Sequence, residues 1–241
     1  MCFPSRSDIF FSDGAIGMGV TTQDWLPRLL QISDSGFPTG AFGHSQGLEY
    51  AIQRQWIKSG ADLLEWAREA IEHAIVPLDS RACLKSWKIE PNADATEWLR
   101  LNEAVSTLRP SFAQRRGSSE TGQALWKNAV DCFGIDRSIG ASMNKPQYSV
   151  AWGRICRLLD VPLSETAMAL VLGYVRGWAQ VALRIIPLGQ KASYRFLAQT
   201  SDYLAGYDWE RQSDLELESL SPGWEIAQLG HQNLRIRSFR S

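Results

Sequence analysis

Cysteine and histidine are scarce and scattered. The chain has 241 residues with four cysteines, Cys2, Cys83, Cys132 and Cys156, and three histidines, His44, His73 and His231. None stands at C-x-x-C or Cys/His ligand spacing, so no metal site is drawn and the thiols read as isolated and reduced. An excess of charge is missing too. Lys+Arg number 25 against 26 Asp+Glu, a net charge of −1, whereas a nucleic-acid binder usually carries a basic stripe or excess. No apolar run approaches the ~18 residues of a membrane span. The opening MCFPSRSDIFFSDGAIGMGV lacks the continuous apolar stretch of a secretory signal. The expectation is a cytoplasmic protein with neither nucleic acid nor membrane as a partner. Alternating strand patterns and Asn-Gly turns are absent as well. With 44% apolar residues the chain is not disordered and has enough material for a core of one or two domains.

Helical periodicity fills the space. Thr21 and Asp24 have capping-box spacing ahead of Trp25, Leu26, Leu29 and Leu30. Asp62 opens a stripe of Leu63, Trp66, Ala67, Ala70, Ile71, Ala74 and Ile75, and Pro77 is expected to break that helix or start the next. Asp94 and Glu97 introduce Trp98, Leu101, Ala104, Val105 and Leu108, ending at Pro110; Ala124 to Phe133 follows, with Gly134 placed to cap it. Thr166 to Ile186, capped by Ser164, is apolar nearly all round and is expected to be central. One more helix covers about 192–205. This patterning predicts an all-α, single-domain helical bundle over residues 21–209. Residues 1–20 form an unassigned extension, with Met18 as an alternative start. Residues 210–241 read as an acidic linker and a flexible, partner-binding tail rich in arginine.

Two near-motifs invite enzymatic readings. GHSQG at 43–47 matches G-x-S-x-G, and His231 follows it in the order of a serine hydrolase triad. The residues before it are Gly- and Pro-rich, however, and the strand that should present the serine is missing. A hydrolase using Ser45 with His231 is the competing reading. GSSETG at 117–122 has the glycine spacing of a phosphate loop, but Gln123 and Ala124 replace the Lys and Ser/Thr that would hold phosphate and magnesium. Arg184, at the end of the apolar helix, either complements its dipole or offers a cation to a partner. The loop SDSGFPTGAFG at 33–43 crowds three glycines and one proline together and must adopt special backbone angles or approach something closely.

From that loop through Glu49, the sequence PTGAFGHSQGLE at 38–49 resembles the P-x-G-x-F/Y-x-H-S-x-G-L-E signature of the UreF family of urease accessory proteins. Leu172 to Gln190, ending in P-L-G-Q, and the terminus HQNLRIRSFRS at 231–241 agree in order and spacing. The resemblance runs from about Trp25 to the last residue. It implies an all-helical homodimer, not an enzyme and without a cofactor. Such a protein binds the D/H-type urease accessory protein, recruits the UreG GTPase and acts on apo-urease in GTP-dependent nickel insertion. The implied partner-binding residues are Phe42, His44, Glu49, Arg184, Gln190, His231, Arg237, Phe239 and Arg240. Gln232, Arg235 and Ser238 depart from the family's usual tail, and the missing carboxylate at Gln232 removes a salt bridge there.

Overall fold

The computed structural model describes residues 24–90, 95–136, 139 and 145–240. The start at Met18, the Thr21 half of the first cap, Cys2 and Asp94 lie outside the described residues. Every regular element within them is helical. In order these are α1 (Trp25–Ile32), α2 (Leu48–Gln53), α3 (Gly60–Ala70), α4 (Arg81–Lys88), α5 (Ala95–Leu108), α6 (Phe112–Phe133), α7 (Tyr148–Leu158), α8 (Leu163–Ile185), α9 (Gln190–Leu204), α10 (Trp209–Asp214) and α11 (Pro222–His231). The apolar helix read from the sequence is α8. It buries Leu170, Val171, Val175, Trp178 and Ala182 and packs against α2, α4, α7, α9 and α10. Its cap position is Pro162 rather than Ser164.

Several starts lie earlier than the pattern suggested, for identifiable reasons. Ser59 caps α3: its hydroxyl accepts from Asp62 N at 3.2 Å while Asp62 Oδ2 accepts from Ser59 N at 3.0 Å, so Asp62 sits one turn inside the helix. Helix α6 begins at Phe112 instead of Ala124, with Gln114 Oε1 accepting from Ser111 N at 3.2 Å. The GSSETG stretch is therefore helix interior, its N–H groups engaged along the helix. Gly134 ends α6 in the left-handed region (φ 65°, ψ 29°), as its position implied.

Pro77 neither breaks a helix nor starts one. Residues Ile71–Ser80 form a π-helical stretch that joins α3 to α4 without interruption. Proline has no N–H to give to the preceding turn. Donors from outside the helix reach this stretch: Leu220 N donates to His73 O at 2.8 Å and Glu218 N to Pro77 O at 3.3 Å. The donors come from the segment expected to be a flexible acidic linker. Trp209 is buried and stacks on Tyr207 at the start of α10. Arg81 then fastens the following residues, bonding Gln212 Oε1, Glu216 O and Glu218 Oε1 at 3.0, 2.6 and 2.8 Å. The acidic character of 210–221 reflects a strap over the π-helix, held by one nearly buried arginine.

Beneath that strap Asp79 and Arg109 form an ion pair between almost wholly buried side chains. Burial works against the Arg109 charge, but the Asp79 carboxylate and the Tyr174 hydroxyl together more than compensate and hold the guanidinium above its ordinary range. Among the described residues no helix is long and apolar enough to cross a membrane.

Candidate functional site

The C-terminal residues return to the loop that begins the bundle. Gly40 (φ 76°), Gln46 (φ 52°) and Gly47 (φ 84°) turn the chain from α1 into α2, with a 3₁₀ turn over Ala41–Gly43 between them. Arg176 donates to Ser33 O at 3.1 Å and Asn128 to Pro38 O at 2.8 Å, which pins the loop's first half to α8 and α6. Glycine is required at 47 twice over. Its backbone is left-handed, and an added Cβ would lie 2.9 Å from Gln228 N and 3.0 Å from Ala227 C on α11. Gly47→Ala should therefore lower stability by roughly 2 kcal/mol or more, read as a reduced urea midpoint.

Glu49, in the first turn of α2, is the organising side chain. It is 1% exposed. Its Oε1 accepts from Ser238 N at 2.7 Å, and its Oε2 lies 2.8 Å from His231 Nε2 and accepts from Phe239 N at 3.3 Å. Since an ionised carboxylate only accepts, the imidazole donates here. Arg240 N donates to Gly43 O at 2.8 Å, Gln53 to Ile236 O at 3.2 Å, and Trp224 Nε1 to Gln46 O at 2.9 Å. Phe239 is buried in the main core, and the Arg184 guanidinium stands 5.6 Å from its ring centroid. The tail is thus docked on its own bundle. Glu49 satisfies two of its backbone N–H groups, and the core receives its aromatic ring.

The predicted residues separate into two groups. His44, Glu49, Arg184, His231, Phe239 and Arg240 come together. Arg237 is exposed, and Gln190 stands exposed at the start of α9; neither bonds to the Glu49 cluster. The side chain of Phe42 lies outside the described residues. Gln232, lacking the carboxylate, instead donates to Ser111 Oγ at 2.8 Å and ties the end of α11 to the start of α6. Ser45 is fully buried, its hydroxyl without a hydrogen-bond partner, and His231 is held by Glu49 rather than by that serine. Sequence reasoning missed Trp224, Gln228 and Ser238. Ser238 acts only through its backbone, which leaves no side-chain signal.

Burial lowers the pKa of His44 below the ordinary 6.5, and the charge of Arg240 lowers it further. The folded state thus favours the neutral ring. Its contribution is complete above pH 6.5 and is lost as pH falls through the lower folded value. An NMR titration should give His44 a midpoint below 6.5, and Arg240→Ala should move it upward.

Fold and site together define an all-helical protein whose polar side chains are concentrated on closing its C-terminal segment over an N-terminal glycine-rich loop. The UreF family model matches residues 57–201. A urease accessory protein UreF from Geobacillus kaustophilus (strain HTA426) is 31% identical over 225 residues, covering 91% of this chain and all of the relative. One from Lachnoclostridium phytofermentans (strain ATCC 700394 / DSM 18823 / ISDg) is 30% identical over 230 residues, covering 90% and 99%. A third, from Rhodopseudomonas palustris (strain BisB5), is 28% identical over 221 residues, covering 90% and 91%. The chain belongs to the UreF family of urease accessory proteins.

Proposed function

We propose that this chain is a urease maturation factor that works by offering surfaces to other proteins. In this reading it scaffolds the D/H-type urease accessory protein and the UreG GTPase on apo-urease and modulates GTP-dependent nickel insertion, in the cytoplasm and as a homodimer. The observation that carries the reading is the docked tail. With Phe239 turned inward and Glu49 holding the backbone, Ile236, Arg237 and Arg240 are left facing outward, and Ile226 and Leu229 of α11 are exposed as well. Exposed apolar side chains set among arginines suit a protein partner. Leu26 and Leu30, exposed on the short helix α1, offer a second apolar surface for self-association.

Deleting Leu234–Ser241 removes the outward arginines together with the Phe239 anchor. The truncated protein should keep its helical circular dichroism, because every helix from α1 to α11 remains although the core loses the Phe239 ring, yet fail to capture the D/H-type protein and, through it, the GTPase. Undiminished co-purification of both would refute the assignment of the partner surface to the tail.

A further inference from the structure

The last residues of the tail close on the turn that carries His44. Arg240 N donates to Gly43 O at 2.8 Å, and a Cβ placed on Gly43 would lie 3.7 Å from Arg240 Cδ and 3.9 Å from its Nε. The stem of the arginine therefore runs along the residue just before His44. His44 itself is half-buried. The charges around it come from three elements: Arg240 from the tail, Glu120 from α6 and His231 from α11. Glu120 is already engaged, its Oε1 accepting from Arg116 Nε at 2.7 Å. His44 also stands on the wall of a cavity of about 90 Å³, with Asp34, Arg109, Tyr148 and Tyr174. Burial keeps both phenols neutral, Arg109 pairs with Asp79, and Asp34 accepts from Gly36 N at 2.7 Å.

The two histidines beside the tail respond to added charge in opposite senses. His231 Nε2 lies 2.8 Å from Glu49 Oε2, so a positive charge there is drawn to the carboxylate that holds the tail. His44 instead shares its surroundings with Arg240, whose repulsion outweighs the attraction of Glu120. A proton on His44 sets one cation against another where the tail meets the loop. Releasing residues 238–240 carries the guanidinium away and relieves the repulsion. By linkage, the docked arginine disfavours the charged ring as much as the charged ring disfavours docking.

We propose that His44 is a pH-responsive latch on the tail, its protonation weakening the hold of Gly43 and Glu49 on residues 238–240. Resting on the reading of the docked tail as the partner surface, this makes that surface a property of the protein with a neutral His44 ring. The sign follows from the cluster. The ring gives up its proton more readily in the docked state than in the released one. Docking is therefore at full strength above the ordinary histidine value of about 6.5 and declines as pH falls below it.

The test is hydrogen exchange of the full-length protein at pH 7.5 and 5.5, a window above the ordinary carboxylate range. Protection of the Phe239 and Arg240 amides is expressed against each amide's intrinsic rate at that pH, with Leu170 and Val175 of α8 as reference. Phe239 and Arg240 should lose roughly three- to tenfold in protection on going to pH 5.5, while the reference amides hold. In His44→Gln, which cannot take the proton, the loss should vanish. Should that variant fail to fold, Arg240→Ala keeps the N–H bond to Gly43 but removes the opposing charge. Its loss should then be smaller than in the unaltered protein. Equal protection at both pH values, higher protection in acid, or an undiminished loss in the variant would overturn the proposal. Higher protection in acid would mean that His231 on Glu49 dominates, and an undiminished loss that a group other than His44 is titrating. No partner is present in this experiment, so its failure is distinct from any failure of the scaffold reading.

Discussion

Replacing Glu49 with alanine should release residues 232–240 while the rest of the bundle stays folded. Two backbone N–H groups and the His231 ring lose their common acceptor at a site closed to water. Leaving such donors unmet costs about 1–3 kcal/mol each, and more where a charge was the partner. Docking of the segment should weaken by about 3–5 kcal/mol. Hydrogen exchange reads this directly. The amides of Ser238, Phe239 and Arg240 should lose about two to four powers of ten in protection, while those of α8 near Leu170 and Val175 keep theirs. Glu49→Gln should fall between the two proteins. Its amide oxygen can accept from Ser238 N, but its NH₂ confronts donors where Oε2 had accepted from them.

The largest effect on the whole fold is expected at Asp79→Ala. Arg109 remains charged at neutral pH and keeps no carboxylate within the core, so breaking the pair should cost about 3–5 kcal/mol. For a chain of this length that corresponds to a drop in melting temperature of roughly 6–20 °C. The double variant Asp79→Leu/Arg109→Met should recover most of the loss, because it removes both charges instead of orphaning one. A double variant as unstable as the single one would mean that the cavity left behind, and not the unpaired charge, sets the penalty.

Helix identity was legible from periodicity because the bundle is built from amphipathic faces around one apolar helix, and α8 declares itself in composition alone. What the sequence hid was the reverse side of local rules. Pro77 reads as a breaker by its missing N–H, yet the chain runs through it in a π-helical stretch whose His73 and Pro77 carbonyls take N–H groups from Leu220 and Glu218, distant in sequence. Glu216 and Glu218 read as solvated linker charge, since the sequence does not announce that Arg81 lies beside them. The tail looked mobile because its arginines are polar and terminal. Its anchoring depends on backbone N–H groups, which carry no residue signature, and on Phe239 finding a core assembled from elsewhere. Of the candidate site, His44, Glu49, His231 and Phe239 were picked out by family resemblance. Their convergence on one carboxylate was not, because a signature fixes order along the chain and not the partner of each side chain.

The central claim is that a tail fastened through Glu49 forms the surface that other urease accessory proteins dock on. Co-purification of the D/H-type accessory protein with Glu49→Ala, beside the unaltered protein at equal expression, tests it most directly. The account predicts that capture is lost while the variant stays helical and folded. Full capture by a Glu49→Ala protein whose Ser238 and Phe239 amides exchange freely would contradict it.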